Sequence, residues 1–290
     1  MSLAIALALA AGTEAFTSSA VGIALRRMAA DFSASPDEIS WAVTLYLTAY
    51  ALALPLTAWL SDLLSQRRYL ALSIGLYAVA SLGCATSGSL PVFLIWRTIQ
   101  GAAGAAFIAR AIFTFTKELR PPGLTRALLI LIGGFSLKAL GLPFGGLLIN
   151  SYSWRWIFVV PAVLMLGGAL PALAASTEVW PRQNARRPDG AGIVLLGAGL
   201  AMLLVALLRG ERDEWFASPA ITALVALGAL ALLGFAWRQL RRRDRRHLLP
   251  LAILRYRGMS VGVLLSVLAG VMMIGGLYVL PQFFLGIVHT

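Results

Sequence analysis

A chain of 290 residues in which 59% are hydrophobic and only 12% are charged has too much apolar surface to bury inside one soluble core. The formal net charge of +12 would suggest a nucleic-acid partner for a soluble protein, but here the cations lie mostly between long apolar segments. The composition therefore indicates an integral membrane protein whose main surroundings are the lipid bilayer, and it argues against nucleic-acid binding.

Apolar stretches of about 20 residues recur along the chain, and each has about the length that an α-helix needs to cross roughly 30 Å of hydrocarbon. We expect membrane-spanning helices at residues 3–25, 39–60, 69–89, 91–114, 124–149, 155–175, 190–208, 218–237 and 260–284. The first stretch has no basic segment before it and further spans follow, which argues against a cleaved signal peptide. The predicted fold class is an all-α polytopic membrane protein with about nine transmembrane helices.

The connections between these stretches indicate how the chain is organised. Ser35, Pro36 and Glu38 form a capping-box pattern, which predicts that the second helix begins there. The connection "STEVWPRQNARRPDGAG" is the most polar one in the chain and predicts a domain boundary after the first six spans.

The distribution of positive charge predicts an orientation. If the amino end lies in the cytoplasm, the cytoplasmic connections around Arg67, Arg187 and Arg243 carry most of the loop cations. The opposite side carries only a few arginines. Cytoplasmic loops of membrane proteins are enriched in Lys and Arg, so we expect a cytoplasmic N-terminus.

Residues that could build an enzyme, metal or cofactor site are scarce. Cys84 is the only cysteine, so no intrachain disulfide forms, and His247 and His289 lack the spacing of metal ligands. No glycine-rich loop with the Gly-Lys-Ser/Thr pattern for phosphate is present. We expect no catalytic residue, no metal and no cofactor.

Four ionisable residues lie inside the predicted spans, where each costs several kcal/mol unless it meets a partner or water. Glu14 lies about 20 Å along the first helix, near the membrane centre. Arg97 shares a helix face with two glycines, so a neighbouring helix could approach closely below its guanidinium. Lys138 is also near mid-depth, whereas Arg110 could either pair within the membrane or extend to the headgroups.

A protonatable acid near the membrane centre, with cations on other helices, is what a proton-coupled carrier requires. Glu14 and Arg97 are the candidate proton-coupling residues, and Lys138 and Arg110 are candidates for ion pairing within the membrane. The alternative is a static ion pair that holds helices together. An enzyme is less consistent with the sequence than either, because no nucleophile, metal or phosphate site is recognisable.

Three motifs resemble those of major facilitator transporters. The segment "WRTIQGAAGAA" is similar to their fourth-helix R-x-x-Q-G pattern, with Arg97, Gln100, Gly101 and Gly104. The segment "GLPFGG" resembles the antiporter motif of their fifth helix, with Gly141, Pro143, Gly145 and Gly146, although the proline stands one position later than in the family.

The third motif is "WLSDLLSQRRYL", which resembles the family's G-x-L-x-D-R-x-G-R-R loop between the second and third helices. Asp62 and Arg67 match that pattern, whereas Leu63, Ser65 and Gln66 depart from it. The resemblance implies that Asp62 and Arg67 belong to a cytoplasmic gate between the two halves of the transporter.

The resemblance also implies roles for other residues. Arg97 would belong to the proton pathway, and Gly141, Gly145 and Gly146 would pack the fifth helix tightly against the other half. The branch usually has an aspartate in the first helix at the position of Thr17. We expect Glu14, one turn earlier on nearly the same face, to take its place.

An extra helix pair around "RGERDEWFASP" resembles the fourteen-helix drug:proton antiporter branch, especially the multidrug export B-subunits. The implied domain plan has a six-helix bundle (1–175), a cytoplasmic linker (176–189), the extra helix pair (190–237), a basic cytoplasmic loop (238–257) and the first helix of a C-terminal bundle (258–290). Fourteen helices would need five more spans, so we expect a fragment or a truncated product with an incomplete second half.

The implied function is proton-coupled efflux of small amphipathic compounds by alternating access in the cell inner membrane. The substrate and protons would be the ligands, and a periplasmic adaptor protein is a further partner that the resemblance raises. The alternative, from a different functional class, is a non-transporting membrane scaffold derived from a degenerate or truncated transporter.

Overall fold

The computed structural model describes residues 2–118, 122–175, 189–241, 256–266 and 268–269. Within these ranges the regular elements are helices and no residue is in a β-strand, so the predicted all-α fold class is confirmed. Seven helices in this part of the chain are long and apolar enough to cross a membrane. The count becomes eight if the pair Pro143–Ser151 and Trp156–Gly168, bent by 118°, forms one span.

The helices follow the predicted spans in order. The first five are α1 (Ser2–Asp31), α2 (Pro36–Ala53), α3 (Thr57–Leu64), α4 (Gln66–Thr86) and α5 (Leu90–Glu118). A 3₁₀ turn, Leu54–Leu56, joins α2 to α3, so the predicted second span is one helix interrupted near its end. The next five are α6 (Gly123–Phe135), α7 (Leu137–Ser151), α8 (Trp156–Ala175), α9 (Gly190–Arg209) and α10 (Pro219–Arg241), with a 3₁₀ turn, Trp215–Ala217, before α10.

The helix ends show where local sequence decided the boundary. At the start of α2, the Glu38 backbone N–H donates to Ser35 Oγ at 3.2 Å and the Ser35 N–H donates to Glu38 Oε2 at 2.8 Å. The predicted capping box is therefore confirmed. In contrast, α1 continues beyond the predicted end at residue 25, because polar contacts hold its last turns: Asp31 accepts from Trp154 Nε1 at 2.7 Å and from Arg155 Nη1 at 3.0 Å.

The predicted span 124–149 is divided in two at Ser136. The Ser136 hydroxyl donates to the Ile132 carbonyl at 3.0 Å, and α7 begins at the next residue. Pro143 lies inside α7, where its missing N–H leaves the backbone one helical hydrogen bond short.

Helix α1 lies at the centre of the bundle and packs against α2, α5, α6, α7 and α8. Two apolar clusters surround it. One contains Leu7, Ala11 and Phe107, and the other contains Val21, Met28 and Phe158 among its buried residues. Glu14 lies on α1 between these two clusters, so the fold places this acid in the interior of the bundle, where only 7% of its surface is exposed.

The chain forms two compact units, Met1–Phe235 and Ala236–Thr290. The described part of the second unit consists of the end of α10 and helical residues within 257–269. Most of the predicted linker, of the basic loop and of the ninth span lies outside the described residues. The division into functional domains therefore stays a prediction.

Candidate functional site

The polar centre of the bundle is built around Glu14 of α1. The Tyr46 hydroxyl, from α2, donates a hydrogen bond to Glu14 Oε1. Both side chains are buried, and a hydrogen bond between a phenol and a carboxylate is strong in surroundings from which water is excluded. Glu14 is thus held by a tyrosine on a neighbouring helix.

Arg97 of α5 lies on the other side of Tyr46 and is 1% exposed. Its guanidinium carbon is 4.1 Å from the centroid of the Tyr46 ring, which is a close cation–π arrangement. Its Nε donates to the Ala42 carbonyl at 3.2 Å and its Nη1 donates to Gln100 Oε1 at 2.5 Å. Gln100 Nε2 in turn donates to Ser81 Oγ at 2.6 Å. The buried cation therefore connects α5 to both α2 and α4.

The two glycines of the fourth-helix motif make room for this arrangement. A side chain at Gly101 would collide with the Tyr46 backbone carbonyl, so α2 and α5 are in backbone contact there. A Cβ at Gly104 would lie 3.2 Å from Glu14 Cγ and 3.4 Å from the Tyr46 hydroxyl. Three residues of the motif lie directly against Tyr46: Arg97, Gly101 and Gly104. The fourth, Gln100, hydrogen bonds to Arg97.

Lys138 of α7 acts on Glu14 from a further helix, because its positive charge and that of Arg97 both interact electrostatically with the carboxylate. Among the described residues, Lys138 makes no contact ion pair. Its backbone carbonyl accepts a hydrogen bond from Ser19 Oγ of α1 at 2.7 Å. The expected ion pairing of Lys138 within the membrane therefore stays a prediction.

The antiporter-motif glycines bring α7 against α1. A Cβ at Gly141 would collide with Ser19 Oγ, and one at Gly145 would lie 2.9 Å from Ala20 Cβ. Gly146 is less crowded, with Ile23 4.0 Å away, and Pro143 is exposed. In the structure these glycines of α7 pack against α1, a helix of the same bundle. Packing of this helix against the second half of a transporter remains a prediction.

Arg110 lies near the end of α5 and is 8% exposed, which does not fit a side chain extended into the headgroups. Its guanidinium carbon lies 5.0 Å from the centroid of the Phe113 ring. Arg110 is thus a buried cation beside an aromatic ring. Its role in ion pairing stays a prediction.

The loop motif lies between α3 and α4. Arg67 is exposed in the first turn of α4, and Asp62 lies in α3, although its side chain is outside the described part of the structure. Ser65 joins the two helices with φ 68° and ψ 149°, a backbone conformation that is almost confined to glycine. The family pattern has glycine at this position, so the turn keeps a glycine-like backbone although the residue is serine.

Comparison with known proteins decides the family. The model of the Major Facilitator Superfamily matches residues 7–289, nearly the whole chain. The chain belongs to the major facilitator superfamily. The predicted membership of this superfamily is therefore confirmed, and the chain is a multi-pass membrane protein of a transporter superfamily.

Major facilitator proteins of Escherichia coli are among the similar curated proteins. The multidrug export protein EmrB is 26% identical over 285 residues, which cover 97% of this chain and 54% of that protein. The putative multidrug resistance protein MdtD is 32% identical over 244 residues, which cover 84% of this chain and 51% of that protein. The chain thus spans about half the length of the curated relatives it matches.

A solved major facilitator structure shows the same fold. The crystal structure of a bacterial homolog of the human lysosomal transporter Spinster, in an inward-facing and occupied conformation, matches with a TM-score of 0.51 and 16% identity. The match covers 84% of this chain and 62% of that one.

Tyr46 links the two main candidates, Glu14 and Arg97, but nothing in the sequence alone marks it as a site residue. Ile39, Ala42, Tyr46 and Ala49 recur at helical spacing, and all are buried. That spacing predicts one packed face of α2, and Tyr46 is the large residue with a polar tip on it. Which helices this face would meet could not be read from the sequence, because that depends on the arrangement of the bundle.

Proposed function

We propose that the chain takes part in proton-coupled efflux of small amphipathic compounds by alternating access, with Glu14 as the proton-binding residue and Arg97 as its buried cationic counterpart. The observation that carries the proposal is the buried connection from Glu14 through Tyr46 to Arg97. It joins three helices around one protonatable group.

The energetics of the bundle make the protonation state of Glu14 consequential. A carboxylate buried among apolar helices is tolerable only with hydrogen bonds and nearby cations, and Tyr46, Arg97 and Lys138 supply these. Protonation removes the negative charge and leaves both cations without that compensation. The relative free energy of different helix arrangements then depends on the proton, which is the coupling that a proton-driven carrier needs.

The proposed substrate class follows from the similarity to multidrug proteins and from the small number of charges inside the predicted spans. EmrB and MdtD are named as a multidrug export protein and a putative multidrug resistance protein. The few ionisable residues inside the predicted spans suit small amphipathic compounds. A periplasmic adaptor protein belongs to the proposal as a partner, by analogy with the export B-subunits.

The proposed location is the cell inner membrane, with the amino end in the cytoplasm and the motif loop at Asp62 and Arg67 acting as a cytoplasmic gate. The excess of cations in the predicted cytoplasmic connections supports this orientation. Impermeant thiol labelling of a cysteine at position 67, in a Cys84→Ala background, tests it. Labelling from outside intact cells would contradict the orientation.

The transport test is reconstitution into proteoliposomes with an imposed proton gradient and a fluorescent amphipathic cation as substrate. Both the chain itself and the chain joined to the second half of a relative are assayed, because the chain spans about half the length of those relatives. We expect gradient-dependent substrate movement that Glu14→Gln abolishes and that the exposed control Glu214→Gln retains. Absence of substrate movement in both forms would favour the non-transporting membrane scaffold instead.

A further inference from the structure

Tyr46 contacts the two charged groups of the candidate site with different parts of one side chain. Its hydroxyl donates to Glu14 Oε1, and the face of its ring lies 4.1 Å from the guanidinium carbon of Arg97. One turn earlier on α2, the Ala42 carbonyl accepts from Arg97 Nε at 3.2 Å. Any movement of the Tyr46 ring therefore changes the surroundings of both charges.

The position of the ring is constrained on the remaining sides. Gly101 meets the Tyr46 backbone carbonyl, and Gly104 lies beside the Tyr46 hydroxyl. The Tyr46 side chain is fully buried, with 2% exposure. The ring thus has little room to move unless the hydroxyl leaves the carboxylate or α2 shifts relative to α5.

From this geometry we infer that Tyr46 is a positioning residue that transmits the protonation state of Glu14 to Arg97 and so to the packing of α2 against α5. The inference rests on the proposed function and deepens it. When Glu14 is ionised, its oxygen is a strong acceptor that holds the hydroxyl and keeps the ring under the guanidinium. When Glu14 is protonated, it is a weaker acceptor, and this restraint on the ring is released. Tyr46 keeps its own proton throughout.

Other groups also act on Glu14 from the helices packed around it. The titratable and charged residues concerned, within the described ranges, are Tyr46 and Tyr50 on α2, Tyr77 on α4, Arg97 on α5 and Lys138 on α7. The cations on α5 and α7 remain when the Tyr46 hydroxyl is removed. Loss of that hydroxyl should therefore shift the titration of Glu14 without abolishing it.

The test measures Glu14 directly, without transport. A membrane-soluble carbodiimide modifies protonated carboxyl groups, and mass spectrometry of the purified chain in lipid nanodiscs gives the fraction modified at Glu14 across a pH series. We expect Tyr46→Phe, which retains the aromatic ring but removes the hydroxyl, to move the midpoint of modification about one pH unit higher, because the ionised form loses a hydrogen bond. The matched control is Tyr69→Phe, the same change at a buried tyrosine about 12 Å along α4 from Tyr77.

A second measurement uses the unsubstituted Tyr46. Infrared difference spectra between acid and neutral pH should contain a tyrosine C–O band change that Glu14→Gln removes. Equal midpoints for the parent and Tyr46→Phe, or an unchanged tyrosine band in Glu14→Gln, would overturn the inference while leaving Glu14 as a proton site. A parent whose Glu14 modification does not vary with pH would contradict the proposed function itself, and the inference with it.

Discussion

The guanidinium of Arg97 rests on the ring of Tyr46, 4.1 Å from its centroid, and the hydroxyl of that same ring reaches Glu14. The buried acid and the buried cation are therefore connected through a third helix instead of forming a contact ion pair. This arrangement makes the central polar site of the bundle dependent on the contact between α2 and α5.

Arg97→Lys should weaken the site although it preserves the charge. Lysine cannot reproduce the Nε hydrogen bond to the Ala42 carbonyl together with the planar contact to Tyr46. We expect a loss of about 1–3 kcal/mol in the free energy of unfolding and a strong loss of transport. Thermal unfolding in detergent measures the first effect, with the exposed Arg126→Lys as the matched control. An unchanged melting temperature for Arg97→Lys would show that the network contributes little.

Gly101→Ala should separate α2 from α5. The added methyl group would collide with the Tyr46 carbonyl oxygen, which is backbone and cannot rotate away. We expect a destabilisation of about 1–3 kcal/mol, measured by thermal unfolding. Gly75→Ala in α4 is the control, because no atom lies within 4 Å of its added Cβ, and it should be neutral or stabilising by about 0.5–1 kcal/mol. Similar effects for the two substitutions would contradict the close contact.

The extent to which sequence predicts this site differs from residue to residue. Glu14 and Arg97 could be predicted as candidates because a charged side chain inside an apolar span costs free energy and therefore indicates a functional role. Tyr46 could not, because an aromatic residue in an apolar span carries no such signal. The helix positions could be predicted from the lengths of the apolar spans, whereas the extension of α1 to Asp31 depends on a tertiary contact with Trp154. The division at Ser136 coincides with a local hydrogen bond to the Ile132 carbonyl, which span length does not reveal. The packing of the antiporter-motif glycines against α1 required the assembled bundle.

Ser65→Gly should stabilise the turn between α3 and α4. Ser65 has a φ of 68°, and its buried hydroxyl has no hydrogen-bond partner among the described residues. Glycine removes both costs, whereas Ser65→Ala removes only the hydroxyl and keeps the backbone strain. We expect Ser65→Gly to be more stable than Ser65→Ala by about 1–3 kcal/mol in thermal unfolding. If alanine proves equal to glycine at this position, the turn is not strained.

The ion pair between Asp37 and Arg212 should couple the start of α2 to the connection between α9 and α10. Both side chains are partly exposed, so the expected coupling is only about 0.2–1 kcal/mol. Asp37→Arg and Arg212→Asp should each lower the melting temperature, and the exchanged pair should recover part of the loss. Recovery should be incomplete, because a positive charge in the first turn of α2 opposes the helix dipole. Simple additivity of the two single changes would exclude the coupling.

The most direct test of proton coupling through Glu14 is the release of protons when substrate binds. The purified protein, assembled with a second half where binding requires it, is mixed with a lipophilic cationic dye in weakly buffered detergent solution, and the pH change is recorded. We expect the parent to release protons on binding and Glu14→Gln to bind the dye without release, because its position 14 has no proton to give up. Equal proton release from the parent and from Glu14→Gln would show that another group carries the proton and would contradict proton coupling through Glu14.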